Sequence, residues 1–172
     1  LSFTPDDGVR YTPQEDDKGT LGVYDFHITA SGRVLMVYLG DLPGTNNLRR
    51  AVSTDNGWTF TFDRADVLGD AALGGGPNSF VDPKLIELPD GRVRLIVMKQ
   101  GAVYSFVTDD DLETFTQEPG ARLSPTDFTE FSVGALFDPV VVRLLDGRYR
   151  MYVTAGLGGG QDHQGLVSAT TP

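Results

Sequence analysis

Short apolar runs alternate with glycine turns along this chain. Leu35-Met36-Val37-Tyr38, Val93-Arg94-Leu95-Ile96-Val97 and Tyr149-Arg150-Met151-Tyr152-Val153 are rich in β-branched and aromatic residues, as strands are. Each follows a tight-turn signal: Ser31-Gly32-Arg33, Asp90-Gly91-Arg92 and Asp146-Gly147-Arg148. Glycine reaches positive φ without strain, so these dipeptides predict hairpins. A further apolar strand is expected before each turn, over Phe26 to Thr29, Lys84 to Leu88 and Val140 to Leu145. No stretch of 11 to 18 residues carries a helical period. The pattern predicts an all-β protein.

The pattern also repeats. The turn glycines are spaced by 59 and 56 residues. Ser53-Thr54-Asp55-Asn56-Gly57-Trp58-Thr59-Phe60 has a partner in Thr4-Pro5-Asp6-Asp7-Gly8-Val9-Arg10-Tyr11. A second partner is Thr108-Asp109-Asp110-Asp111-Leu112-Glu113-Thr114-Phe115, where the glycine is lost, and a fourth copy starts at Thr171-Pro172. First positions at 4, 53, 108 and 171 are spaced by 49, 55 and 63 residues. A period of roughly 50 to 60 residues suits a four-stranded propeller blade. Third strands are expected over Leu48 to Val52, Val103 to Val107 and Leu166 to Thr170, and fourth strands after Gly8, Gly57 and Leu112. In the repeated turn the aspartate can bond local N–H groups and the final aromatic can pack beneath, so the expected role is structural.

The repeated turn resembles the Asp-box, or BNR repeat, of sialidases and related β-propellers, with pattern Ser/Thr-x-Asp-x-Gly-x-Thr-Trp/Phe. The resemblance implies a propeller of four-stranded blades, about three in this chain. Residues 1–13 are then the outer strand of one blade, 22–64 and 81–118 whole blades, and 136–172 an incomplete one. Propellers close with about four to eight blades. The expectation is half of a six-bladed ring, completed either by a second copy in a homodimer or by the rest of a longer chain.

Composition narrows the partners. The 172 residues have 40% hydrophobic and 22% charged content, which is globular. A net charge of -10 argues against nucleic acid. No apolar run approaches the roughly 18 residues of a membrane-spanning helix, so no membrane partner is expected. The absence of cysteine excludes disulfides and thiolate metal sites, and no cofactor or metal motif is found. Asp109-Asp110-Asp111 lacks the spacing of a calcium loop, and no helix follows Gly156-Leu157-Gly158-Gly159-Gly160 to make a phosphate cradle.

Three acids recur where a blade's first strand would start near the central axis: Asp25, Asp82 and Asp138. Asp82 and Asp138 each stand nine residues before a turn glycine and precede a proline; Asp25 stands seven before Gly32. Converging carboxylates suit glycoside hydrolysis, with one protonated as acid and one ionised as base or nucleophile. An Asp-Pro that only starts a strand is the plain alternative. The phrases from Phe80 to Arg92 and from Phe137 to Tyr152 also resemble blades of five-bladed arabinanase and xylosidase-type glycosidases. That resemblance implies a catalytic Asp in the Asp-Pro setting.

His27, Tyr24, Glu130 and His163 are the candidate substrate contacts, with His27 on the same strand face as Asp25 by alternation. The arginine clamp of sialidases is not recognised: Arg49 and Arg50 precede the repeated turn, and Arg33, Arg92 and Arg148 follow glycine turns and read as solvated. The expected function is a carbohydrate-active propeller acting through axial carboxylates. The alternatives are a noncatalytic glycan- or protein-binding module and a fragment of a larger sialidase-like protein.

Overall fold

A computed structural model describes residues 2–17, 19–40, 47–68, 73, 80–109, 111–158 and 163–172. Among them lie eleven strands in three antiparallel sheets. Sheet 1 has order β1 (Tyr24–Ile28), β2 (Val34–Gly40), β3 (Asn47–Ser53), β4 (Thr61–Leu68). Sheet 2 has order β5 (Val81–Glu87), β6 (Val93–Lys99), β7 (Ala102–Thr108), β8 (Phe115–Gln117). Sheet 3 has three strands, β9 (Val133–Arg143), β10 (Tyr149–Leu157) and β11 (Gln164–Thr170), with β10 in the middle.

The glycine turns form as the pattern predicts. Gly32, Gly91 and Gly147 take φ of 83°, 83° and 87°, where a side chain would be strained. Each donates its N–H three residues back, to Thr29, Leu88 and Leu144, at 2.9 to 3.0 Å. One local geometry thus starts the second strand of all three sheets.

Strand alternation then stacks the sheets face to face. Leu35, Val37 and Leu39 of β2 meet Val93, Leu95 and Val97 of β6 in one buried core. The opposite face of β6 sends Ile96 and Met98 against Leu136, Val153 and Ala155 of sheet 3. Each buried Leu, Ile, Val or Met among them contributes roughly 1.5–3 kcal/mol. The first strands of successive sheets adjoin, β1 beside β5 and β5 beside β9.

The repeated turn after β3 is held by its own side chains. Asp55 accepts from the Thr59 N–H at 2.9 Å and from the Thr59 hydroxyl at 2.6 Å, and Ser53 accepts from the Gly57 N–H at 2.9 Å. Hydrogen bonds from Ser53 and Thr59 hold the Asp55 carboxyl down at about 2. Phe60 packs on Met36, Tyr38 and Ala51, whereas Trp58 is exposed under the Arg10 guanidinium. After β7 the turn is shifted by one residue from the sequence alignment. Asp109 accepts from the Glu113 N–H at 3.0 Å, while Asp110, the aligned aspartate, lies outside the described residues. Leu112 is fully buried in the first core at φ 53°, and that burial sets the shifted register.

Residues 2–13, expected as an outer strand, form no strand. The Arg10 carbonyl accepts from the Phe60 N–H at 3.0 Å, and the Tyr11 hydroxyl meets that of Tyr38 at 2.7 Å. Asp17 is wholly buried behind them, 3.0 Å from Arg49. The N-terminal segment therefore covers part of the outer face of sheet 1. Among the described residues no helix is long and apolar enough to cross a membrane.

Candidate active site

Asp82 and Asp138 occupy the same structural position in sheets 2 and 3. On β5, Val81 pairs with Met98 and Lys84 with Ile96, so Asp82 and Pro83 together oppose Val97. On β9, Phe137 pairs with Thr154 and Val140 with Tyr152, so Asp138 and Pro139 oppose Val153. Each Asp-Pro is thus a β-bulge, one extra residue that turns a side chain out of the regular ladder. Proline suits this position because it has no N–H to offer the ladder. The apolar pattern alone starts these strands after the Asp-Pro, at Lys84 and Val140; they begin earlier, at Val81 and Val133, and the bulge lets the ladder continue through it. Asp82 and Asp138 adopt φ of 53° and 51°, a left-handed conformation uncommon outside glycine. Strain of this kind clusters at functional positions.

The bulges bring the two residues together. Asp82 Oδ2 lies 3.4 Å from the Asp138 backbone N–H, which donates to it. Asp82 is half-buried and Asp138 is exposed. Burial, then the charge of Asp138, pushes the Asp82 carboxyl above the usual carboxylate range; the Asp138 N–H and Lys84 act in the other direction. Two equivalent aspartates therefore differ in environment: Asp82 is half-buried with its carboxyl pushed up, and Asp138 is exposed.

Asp25 is placed differently. β1 has no bulge: its five residues pair in register with β2, and Asp25 faces Val37. Both Asp25 oxygens accept backbone N–H groups, from Phe26 at 2.9 Å and from Leu85 at 2.8 Å. Its carboxylate ties β1 to β5.

The four further candidates lie in different settings. His27 does share a face with Asp25, and it is buried with Nδ1 3.5 Å from Glu87 Oε1. Tyr24 points to the other face, its ring 5.5 Å from that of Phe26. Glu130 and His163 are exposed, and the His163 carbonyl accepts from the Leu157 N–H at 2.7 Å. Residues 159–162, next to His163, lie outside the described residues. Two neighbours of the site escaped the sequence reading: Lys84, whose charge acts on Asp82, and Glu87 against His27. The signal for Lys84 was present, since residues two apart on a strand share a face, although the bulge interrupts that rule here.

A cleft of about 390 Å³ opens elsewhere, between sheets 2 and 3, over Ile86, Ile96, Val141 and Met151 with Arg94 and Arg122 at its sides. It contains none of the aspartates, and Arg94 is already held by both oxygens of Glu118 at 2.7 and 2.8 Å. Of the three candidate acids, Asp82 and Asp138 are linked directly, through the Asp138 N–H. Among the described residues no cluster of three or more His, Asp or Glu is placed to hold a metal.

No protein-family model matches the sequence. No curated protein sequence matches it. Solved structures do resemble the fold. An alpha-L-arabinanase of Penicillium chrysogenum matches at a TM-score of 0.58 and 16% identity, over 88% of this chain and 46% of the arabinanase. A fructofuranosidase of Schwanniomyces occidentalis matches at 0.63 and 16% identity, over 87% of this chain and 31% of the other. An endo-1,4-beta-xylanase of Bacteroides thetaiotaomicron matches at 0.63 and 12% identity, over 87% and 57%. At these identities the likeness is one of fold: the chain has an all-β fold of the propeller-glycosidase kind. It spans between about a third and somewhat more than half of these proteins.

Proposed function

We propose that this chain is a carbohydrate-active propeller segment that cleaves glycosidic bonds through Asp82 and Asp138. The observation that carries the reading is the matched pair of bulges, which sets a half-buried carboxyl beside an exposed one. Asp82, protonated, gives its proton to the leaving-group oxygen as the bond from that oxygen to the anomeric carbon breaks. Asp138, ionised, either takes a proton from the attacking water or itself bonds the anomeric carbon before water replaces it. Asp25 belongs to the site as a positioning residue, holding β1 against β5. His27, Tyr24, Glu130 and His163 remain proposed sugar contacts only if substrate reaches across the sheet tops.

The substrate class follows the resemblance to an arabinanase, a fructofuranosidase and a xylanase: a furanoside- or xylose-containing glycan. The Asp-box reading is supported by the bonds that Asp55 makes within its turn. In the proposed architecture each sheet is a blade, and two copies build a ring of six.

The test is hydrolysis of aryl arabinofuranosides, aryl xylosides, arabinan and sucrose. Asp82→Asn and Asp138→Asn should each lower the rate by roughly 10²-fold or more. Unchanged rates in both variants would remove the pair from the mechanism. A second reading, a noncatalytic glycan-binding module, is favoured by the engagement of both Asp25 oxygens with backbone N–H groups. Saturable glycan binding with no turnover of any substrate selects it.

A further inference from the structure

The three sheets place equivalent positions in unequal surroundings. Ile28, Glu87 and Arg143 are equivalent, because each closes its first strand against Val34, Val93 or Tyr149, two residues beyond the turn glycine. Counting two residues back along each strand, Phe26, Leu85 and Val141 are equivalent too. Leu85 packs on the core shared with sheet 1, and Val141 on the core shared with sheet 2. Phe26 stands at the position that packs on a preceding sheet, yet it is exposed. The other face repeats the argument. Ile86 packs toward sheet 3, and its equivalent Val142 is exposed.

The exposure is not confined to single residues. Tyr24, Phe26 and Ile28 form one open apolar face on sheet 1; on sheet 3, Val140, Val142 and Leu166 are exposed on one side, with Arg150, Tyr152 and Thr154 of β10 between them. Tyr24, Phe26, Ile28, Val140, Val142 and Leu166 are between 38% and 73% exposed. Large contiguous apolar patches are uncommon on monomers and mark interaction surfaces.

We infer that the open face of sheet 1 receives the open face of sheet 3 from a second copy of this chain, and that this contact occurs twice around a two-fold axis. This rests on the six-sheet ring proposed above and names the surfaces that close it. The occupant follows from the packing rule within the chain. A face in the position of Leu85 receives a face in the position of Ile86, and each copy has one of each left open. The resembling arabinanase, of which this chain covers 46%, has about the length that two copies supply. A contact between unlike faces closes into a ring only if the rotation fits; otherwise it grows into open chains.

Closure also acts on the site. Asp25 accepts an N–H from β5, and Asp82 accepts one from β9. Asp138 is exposed within one chain, and in the ring the first strand beside it is β1 of the second copy.

The test is sedimentation equilibrium with three proteins, each checked for its β spectrum: the parent, Phe26→Asp and Val142→Asp. The parent should be a dimer of twice 18.6 kDa. Each variant alone damages both contacts, so its dissociation constant should rise at least about 10-fold. Mixing the two variants restores one contact between undamaged faces, and the mixed dimer should be tighter than either variant's own. A monomeric parent at about 100 μM, open-ended growth with concentration, or dimers unaffected by both substitutions would overturn the inference; so would a Val142→Asp dimer as tight as the parent, which would mean that sheet 1 pairs with itself. Leu166→Asp repeats the sheet 3 arm if Val142→Asp fails to fold. Turnover is measured separately, so an inactive dimer refutes the catalytic reading alone and an active monomer refutes this one alone.

Discussion

Replacing Arg50 with alanine should unfasten sheet 1 from sheet 2. Arg50 lies on β3 with its side chain only 6% exposed. Its Nη1 donates to the carbonyls of Asp111 and Leu112 at 2.7 and 2.9 Å. Its Nη2 donates to both oxygens of Asp63 at 3.0 Å and to Glu113 Oε1 at 2.9 Å. One guanidinium thus joins β3 and β4 to the turn that follows β7. Burial works against its charge, but Asp63 and Glu113 outweigh that and hold the Arg50 pKa above its ordinary value.

Breaking a buried pair from one side costs about 3–5 kcal/mol, because the remaining partners lose their donors. Glu113 is half-exposed and water replaces its share, so the lower end, about 3 kcal/mol, is expected for Arg50→Ala. In a domain of this size each kcal/mol moves Tm by about 2–4 °C, so Tm should fall by about 6–12 °C. The assay is thermal unfolding at pH 7 followed by circular dichroism. Arg50→Lys keeps the charge without the planar fork and should lose about half as much. A cycle with Asp63→Asn then isolates the carboxylate's part. A Tm within about 2 °C of the parent for Arg50→Ala would refute the reasoning, since no buried clamp is that weak.

Other consequences can be checked directly. Asp82 has a raised folded-state pKa, so its stability contribution is full below the ordinary carboxylate pKa and is lost as pH rises through the folded value; Asp82→Asn should raise Tm at pH 7, and the gain should vanish at lower pH. An equal gain at every pH would assign it to something other than titration. Asp55 is the opposite case: its contribution is full above the ordinary pKa of 3.8 and is lost as pH falls toward about 2, so Asp55→Asn should flatten the Tm profile over that acidic range. Asp25→Ala deletes the acceptor of the Leu85 N–H, and hydrogen exchange at the Leu85 amide should speed up while core amides such as Leu95 keep their protection.

The strand grammar was legible because it is local. Alternation placed the second and third strands to within a few residues, and a turn glycine has one inexpensive conformation wherever it occurs. Asp82 and Asp138 were recognisable as a matched pair for the same reason, since each carries Asp-Pro at one distance from its glycine. Asp25 shows where counting ends. It was grouped with the others by position, but only the ladder tells that β1 lacks the bulge and that its carboxylate belongs to β5. The turn after β7 makes a similar point: the motif aligned Asp110, while the burial of Leu112 selected Asp109.

The sequence by itself determined an all-β chain with repeated hairpins, recurrent first-strand acids and a turn motif with a structural role. Backbone sterics and side-chain alternation act over a few residues, and those can be read in order. Only the tertiary structure decided which of two equivalent aspartates is half-buried, that Arg50 clamps two sheets, and that Phe26 and Val142 stay uncovered. Those properties depend on which sheet lies in front of each face, and neighbours far apart in the chain set them.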